Sequence, residues 1–151
     1  MSKPKVIILC GLPCSGKSTF SCSSEYDDCI HLSTDAYIEQ VAKLQNKTYN
    51  DVWKDTIKPA AKIFYGLMCL AATTNKNVLI DQTNLSVQTR KLKIDLFQNH
   101  EPTIVFFDTP LEVIKERNCR PGKHIPDYVI ESMYKTLQIP TEEEANIMTV
   151  Q

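Results

Sequence analysis

Val6-Ile7-Ile8-Leu9-Cys10-Gly11-Leu12-Pro13-Cys14-Ser15-Gly16-Lys17-Ser18 is the stretch of the sequence that decides the fold. It opens with five apolar residues in a row. A short apolar run that ends at glycine is typical of a β-strand buried on both faces, and such strands belong to parallel sheets covered by helices. The glycine-containing segment that follows ends where a helical pattern begins. The sequence therefore predicts a strand, a tight loop and a helix in succession.

The loop at 11–18 fits the pattern Gly-x4-Gly-Lys-Ser/Thr in full, in the strand-to-helix context that a phosphate-binding P-loop requires. Glycines let backbone N–H groups turn toward phosphate oxygens, and the helix N-terminus adds positive charge. Lys17 is predicted to contact the β- and γ-phosphates of ATP, and the Ser18 hydroxyl to bind Mg²⁺. The structural alternative is a glycine turn beside an exposed lysine. The predicted ATP contacts in this segment are Gly11, Pro13, Cys14, Ser15, Gly16, Lys17, Ser18 and Thr19.

Three further apolar runs, at 30–33, 78–81 and 103–108, alternate with helical patterns. This alternation predicts an α/β fold of the P-loop NTPase, kinase type: a parallel sheet of four to five strands with helices on both faces. Pro59 is expected to kink the helical segment at 51–73 or to divide it in two. The tail after Pro140 is expected to be a loose terminus. With no repeat and no linker in sight, residues 1–151 are predicted to form a single domain.

Two aspartates follow predicted strands. Asp35 comes after the second strand, where a carboxylate can accept a proton from an attacking hydroxyl; its alternative function is an N-cap for the next helix. Asp81 ends the third strand and is the predicted acidic partner of Mg²⁺ or its waters, with a turn aspartate as the alternative. No glutamate follows Asp81 to activate a water, so the sequence favours phosphoryl transfer over hydrolysis.

A concentrated positive segment lies beside the breaker-rich loop at 120–126. A mobile loop that carries arginine can close over the γ-phosphate and neutralise the charge that develops in transfer. Arg120, at the loop entrance, is predicted to be catalytic. Arg117, on the preceding helix, is interpreted as more structural, because cations are favoured at helix C-termini. Together with Lys123 these arginines are predicted nucleotide contacts on an arginine-bearing lid.

The overall charge is nearly balanced, with 17 basic and 18 acidic residues and a net charge of −1. The composition therefore supplies no general attraction to nucleic acid, and any such site must be a local cluster. The N-terminal apolar run is too short for a signal peptide or a membrane span. We therefore expect a cytoplasmic protein without a membrane partner, whose six cysteines are free thiols.

Taken together, the motifs resemble the 5′-kinase domain of the bacteriophage polynucleotide kinase family, within the small P-loop kinases. The resemblance covers almost the whole chain and rests on these segments: 11–19, 33–37, 81–85 with Arg90, 117–120, 125–126 and 131–135. It implies transfer of the γ-phosphate of ATP to the 5′-hydroxyl of DNA or RNA, in nucleic-acid repair or metabolism, by a protein of phage or viral type. By motif match Lys17 and Ser18 hold the phosphates and Mg²⁺, Asp35 activates the 5′-hydroxyl, and Arg120 reaches across the transferred group.

The chain departs from this family at two positions, of which position 38 bears on the acceptor, whereas Asp81 beside the second fits the broader group. Ile38 stands where the family has an arginine that contacts the phosphate next to the reacting nucleoside, and Gln82 stands where the phage enzyme has an acidic residue. Lys43, Lys47 or Lys54 are alternative cations, and each equally fits a solvated helix face. Two other functions stay open: a kinase for a nucleoside, nucleotide or other small hydroxyl compound, and a nucleotide-binding module that regulates a partner.

Overall fold

A computed structural model describes residues 2–151; Met1, the first residue of the predicted domain, lies outside the described residues. Five strands form one sheet in the order β2-β3-β1-β4-β5, with every pairing parallel. The strands are β1 (Lys5–Cys10), β2 (Ile30–Ser33), β3 (Val78–Asp81), β4 (Glu101–Phe107) and β5 (Asn146–Val150). The predicted α/β fold with a parallel sheet is confirmed, and the run that precedes the P-loop is its central strand.

Helices cover both faces of this sheet. They are α1 (Lys17–Ser21), α2 (Thr34–Leu44), α3 (Tyr49–Ala72), α4 (Val87–Leu96), α5 (Leu111–Arg117) and α6 (Asp127–Thr136). Alternate residues of β1 point to opposite faces: Ile8 packs with Phe64 of α3, and Leu9 packs in the cluster that includes Phe20 of α1. Across residues 2–151, no helix combines the length and the apolar character that a bilayer crossing requires.

The segment around Pro59 forms one helix, α3, so the two-helix alternative is wrong. Thr48 and Asp51 form a reciprocal capping box at its start. Pro59 is exposed and removes a single helix hydrogen bond on the solvent side. Buried residues lie on both sides of the proline, from Val52 against α2 to Phe64 against the sheet. This packing holds the helix together across the proline.

The tail after Pro140 is not a loose terminus: residues 146–150 form β5, which pairs with β4 from Thr103 to Phe107. Asp108 extends the contact, because its backbone N–H donates to the Val150 carbonyl at 2.8 Å. Without β5, the row of N–H and C=O groups along β4 would lie at the sheet edge unpaired. The expectation failed because the strand is short and follows an acidic, polar segment.

Candidate active site

The P-loop lies at the carboxyl end of the central strand β1. Cys14 (φ 66°) and Gly16 (φ 107°) adopt left-handed backbone conformations, and α1 begins without a side-chain N-cap. The first N–H groups of a helix have no intrahelical partner, so they are available to phosphate oxygens here. Gly11 is required for packing, since an added Cβ would lie 2.9 Å from the Phe107 Cβ and 2.7 Å from the Ser15 Oγ. The loop therefore has the backbone conformation that the predicted phosphate cradle requires.

Lys17 folds back over this loop. Its Nζ donates hydrogen bonds to the carbonyl oxygens of Gly11 and Leu12 at 2.8 and 2.9 Å. Burial lowers the pKa of Lys17 to about 8, although the charges of Asp81 and Asp35 favour its ammonium form. A phosphate in the loop would offer the ammonium stronger acceptors than the two carbonyls.

Asp35 lies in the first turn of α2 and is not its cap. Ser33 caps the helix, since its Oγ accepts the Ala36 N–H at 3.2 Å. The capping alternative for Asp35 is therefore wrong. Its carboxylate, more than half exposed, accepts a hydrogen bond from the Tyr49 hydroxyl at 2.7 Å through Oδ1. Burial and the Asp35 carboxylate together raise the pKa of Tyr49, so Tyr49 stays a hydrogen-bond donor at neutral pH.

The predicted lid, residues 120–126, rests on the start of α2 and α3. Lys123 Nζ lies 3.9 Å from Asp35 Oδ2, pairs with the Glu39 carboxylate, and sits 4.7 Å from the centre of the Tyr49 ring. The backbone joins the same contact, because the Asn50 N–H donates to the Gly122 carbonyl at 2.9 Å. The lid therefore contacts the predicted general base and leaves more than half of its side chain exposed.

The two lid arginines differ in their contacts. Arg117 Nη1 donates to the Cys14 carbonyl at 3.3 Å, so the residue interpreted as more structural touches the P-loop itself. Arg120 is half-buried, and its Nε has no hydrogen-bond partner among residues 2–151. A buried guanidinium N–H without an acceptor is costly. Arg120 is thus positioned to gain from an anionic partner.

Asp81 ends β3, directly beside the central strand. Burial raises the pKa of its carboxyl, with Asp35 adding to the effect and Lys17 opposing it. Within the described chain, no hydrogen bond engages the Asp81 carboxylate. The segment is anchored to the P-loop, because the Gly11 N–H donates to the Thr83 carbonyl at 3.0 Å. A hydroxyl from Ser18 and a carboxylate from Asp81 are oxygen ligands of the kind that Mg²⁺ prefers, so the residues present fit the ion.

Arg90 belongs to the motifs noted in the sequence, where no function was assigned to it. It anchors the segment that follows β3 through the Asn84 carbonyl. It is fully buried and forms a bidentate pair with Glu144 (2.9 and 3.2 Å). Its Nη1 also donates to the Asn84 carbonyl at 2.9 Å, while the Asn84 amide donates to the Leu9 carbonyl at 2.6 Å. Burial alone would raise the pKa of Glu144, but its hydrogen bonds with Arg90 and Thr141 hold it below the ordinary value.

One cavity of about 440 Å³ is lined by Lys17, Asp35 and Asp81. Arg117, Arg120 and Lys123 are not part of its lining, so the lid residues border the site from outside it.

Ile38 is fully buried between α2 and α3 and does not reach this cavity. The alternative cations Lys43, Lys47 and Lys54 are exposed and do not line it either. The lysine that does line it, beside Lys17, is Lys93 of α4. Sequence reasoning missed Lys93 because a lysine in an amphipathic helix ordinarily faces solvent.

The fold and the site define a P-loop kinase, an ATP-dependent phosphotransferase. The defining features are a five-stranded parallel sheet, a P-loop after its central strand and aspartates at the ends of neighbouring strands. Residues 6–140 match the AAA_33 family, described as an AAA domain, and the chain belongs to this family. Kinases of this class use ATP and usually Mg²⁺.

Two curated relatives are kinases. The chain is 29% identical over 144 residues to the L-seryl-tRNA(Sec) kinase of Methanococcus maripaludis, a match that covers 89% of this chain and 53% of that protein. It is 26% identical over 147 residues to the bifunctional polynucleotide phosphatase/kinase of Schizosaccharomyces pombe, with 93% and 31% covered. The chain thus spans about half the length of the first relative and about a third of the second.

A solved structure of the Pnkp1/Rnl/Hen1 RNA repair complex contains a chain with the same fold. The TM-score is 0.70 at 25% identity, and the match covers 91% of this chain and 45% of that one. These similarities support a small P-loop kinase and do not single out the phage polynucleotide kinases.

Proposed function

We propose that this chain is a polynucleotide 5′-hydroxyl kinase, which transfers the γ-phosphoryl group of ATP to the 5′-hydroxyl of DNA or RNA. The observation that carries the proposal is that Asp35 lines the same cavity as Lys17 and Asp81. A carboxylate beside the phosphate site can accept the proton of an attacking hydroxyl. The curated relatives are named as kinases of a seryl-tRNA and of polynucleotides, which supports a nucleic-acid acceptor.

In the proposed mechanism, backbone N–H groups of the P-loop and the Lys17 ammonium bind the β- and γ-phosphates. Asp35 takes the proton of the 5′-hydroxyl, whose oxygen forms a bond to the γ-phosphorus as the bond from that phosphorus to ADP breaks. Ser18 and Asp81 would hold Mg²⁺, which neutralises phosphate charge when bound. Arg120 stabilises the transferred group from the lid.

The lid has to move for this mechanism. Lys123 is proposed as a nucleotide contact, yet it pairs with Asp35 and Glu39 here. Binding of the acceptor hydroxyl at Asp35 would replace only the long 3.9 Å contact, so Lys123 reaches the phosphates only when the lid also separates it from Glu39. A function in nucleic-acid repair is supported by the similarity to a chain of an RNA repair complex.

A small-molecule kinase is the second candidate. It is favoured by the net charge of −1 and by the burial of Ile38, which leaves no cation at that position of the acceptor side. Such an enzyme would use the same Lys17 and Asp35, and only the acceptor would differ.

Transfer of labelled γ-phosphate from ATP to a panel of acceptors tests the proposal. The panel contains 5′-hydroxyl DNA and RNA oligonucleotides, the same oligonucleotides already 5′-phosphorylated, nucleoside 3′-monophosphates and nucleosides. Labelling of the 5′-hydroxyl oligonucleotides alone, lost in Lys17→Ala and Asp35→Asn, is the expected result. Labelling confined to the small acceptors would replace the proposed acceptor and leave the kinase chemistry in place.

A further inference from the structure

Lys93 is a buried cation without an acidic partner. Only 6% of the residue is exposed, although Lys93 lines the cavity shared by Lys17, Asp35 and Asp81. The ammonium hydrogen-bonds to the Asn84 Oδ1. None of the ion pairs among residues 2–151 includes it. An ammonium has three donors, so this one retains hydrogen-bonding capacity toward the cavity.

The burial of an unpaired ammonium is unfavourable for folding. Desolvation lowers the pKa of Lys93 to about 8, and no neighbouring carboxylate offsets it. The residue is therefore still mostly protonated at neutral pH. A methionine would avoid this cost but leave the buried Asn84 Oδ1 without a donor. A neutral donor such as a glutamine amide would serve that oxygen as well, so the charge itself is better explained by a ligand than by packing. The ligand that a buried ammonium favours is an anion.

A second cavity of about 460 Å³ lies between α3 and α4 and adjoins the first. Its walls include the apolar and aromatic side chains of Phe64, Tyr65 and Leu92. The two cavities share Gln82, Thr89 and Lys93. A ligand that extends from one cavity into the other therefore passes Lys93. Aromatic and apolar walls suit a nucleobase, because every base presents a flat face for stacking.

We propose that Lys93 binds the phosphodiester between the first two nucleotides of the acceptor strand, with the reacting nucleoside in the first cavity and the next base in the second. The inference rests on the proposed function and makes Lys93 a residue that determines acceptor specificity. It explains how a chain with a net charge of −1 can hold a polyanion through one local, desolvated contact.

The test compares the native chain, Lys93→Met and Lys91→Met. Lys91 is two residues away on the same helix, exposed and absent from the lining of both cavities, so its variant removes an equal charge without removing a lining residue. Its partner at 2.8 Å, Asp95, does line the second cavity, so the variant also tests whether charge at that wall affects binding. The acceptors are a 5′-hydroxyl trinucleotide and its analogue with an uncharged methylphosphonate at the first linkage. Two quantities are measured: acceptor affinity of protein loaded with a non-hydrolysable ATP analogue and Mg²⁺, and KM in the transfer assay.

Lys93→Met is expected to weaken binding of the normal trinucleotide about ten- to hundredfold, the range for one hydrogen bond to a charged group. It should leave binding of the methylphosphonate analogue unchanged, and Lys91→Met should behave as the native chain. Affinity for the ATP analogue reports whether the variant is folded, and Lys93→Gln replaces Lys93→Met if it is not.

Three results would overturn the inference. Equal KM values for native protein and Lys93→Met, with oligonucleotides still labelled, would remove Lys93 from the acceptor site and leave the proposed function standing. Equal weakening with both trinucleotides would show that Lys93 acts through packing. Failure of the native protein to label any oligonucleotide would remove the proposed function and this inference with it.

Discussion

The Tyr49 hydroxyl donates a 2.7 Å hydrogen bond to Asp35 Oδ1 and so joins the first turn of α2 to the first residue of α3. The bond engages one carboxylate oxygen. The other, Oδ2, faces the Lys123 ammonium at 3.9 Å. The proposed general base is therefore oriented by a residue 14 positions further along the chain.

Asp35→Asn should retain ATP binding and lose most phosphoryl transfer, since the substitution removes the proton acceptor and keeps the size of the side chain. We expect turnover to fall by at least about 100-fold. Calorimetry of ATP binding and single-turnover transfer measure the two quantities separately. Turnover equal to that of the native chain would exclude Asp35 as the base.

Tyr49→Phe should lower kcat about tenfold and leave the affinity for ATP unchanged, because one hydrogen bond to the carboxylate is lost. Tyr128→Phe is the matched control, since Tyr128 is 74% exposed on α6 and outside the cavity. A drop of similar size in both variants would point to a general loss of structure. Steady-state kinetics at saturating ATP provide the measurement.

Arg120→Ala should reduce turnover about 1,000-fold if the guanidinium stabilises the transferred phosphoryl group. Arg117→Ala should act mainly on ATP affinity, since Arg117 contacts the Cys14 carbonyl of the P-loop. Comparison of kcat with the ATP dissociation constant separates the two effects. A change confined to ATP affinity in Arg120→Ala would make that residue a ground-state contact only.

Glu144→Gln should lower the free energy of unfolding by about 2–4 kcal/mol, because the buried Arg90 loses its charged partner. Glu143→Gln, at an exposed neighbouring position, should have little effect. The folded-state pKa of Glu144 is depressed, so its contribution is complete above the unfolded value of 4.5 and is lost as the pH falls through the folded value. The free energies of unfolding of the native chain and Glu144→Gln, measured with urea, should therefore converge as the pH falls.

Lys93→Met should stabilise the protein at pH 7 by less than about 3 kcal/mol, because the gain from removing the desolvated charge is partly offset by the Asn84 Oδ1, which loses its donor. The depressed pKa of Lys93, about 8 against 10.5 when unfolded, makes the native chain gain stability as the pH rises through that interval. The variant should lack this gain, and Lys91→Met should keep it. Urea unfolding between pH 7 and pH 10 measures how the free energy of unfolding changes with pH. Parallel pH dependence in the native chain and Lys93→Met would contradict the depressed pKa of Lys93.

Local patterns in the sequence were sufficient to predict the central strand, the P-loop and the alternation of strands with helices. The reason is that glycine spacing, apolar periodicity and capping act over a few residues. The placement of Asp35 and Asp81 at strand ends also followed from the sequence, and the structure brings them to one cavity because the carboxyl ends of parallel strands meet at one edge of the sheet. Pro59 shows the limit of such reasoning, since packing on both sides of it kept α3 in one piece.

Contacts between residues distant in the sequence decided the features of the fold and the site that local patterns did not predict. Arg90 meets Glu144 across 54 positions, and β5 pairs with β4 in a register that joins Asn146 to Thr103. Tyr49 reaches Asp35 only because α3 packs on α2. No local pattern distinguishes Lys93 from Lys91 two residues earlier: Lys93 is buried and lines the cavity shared with Lys17, whereas Lys91 lies in solvent. The sequence by itself thus determined the nucleotide-binding half of the site. Tertiary packing decided which charged side chains are desolvated around the cavity, because burial depends on the whole fold.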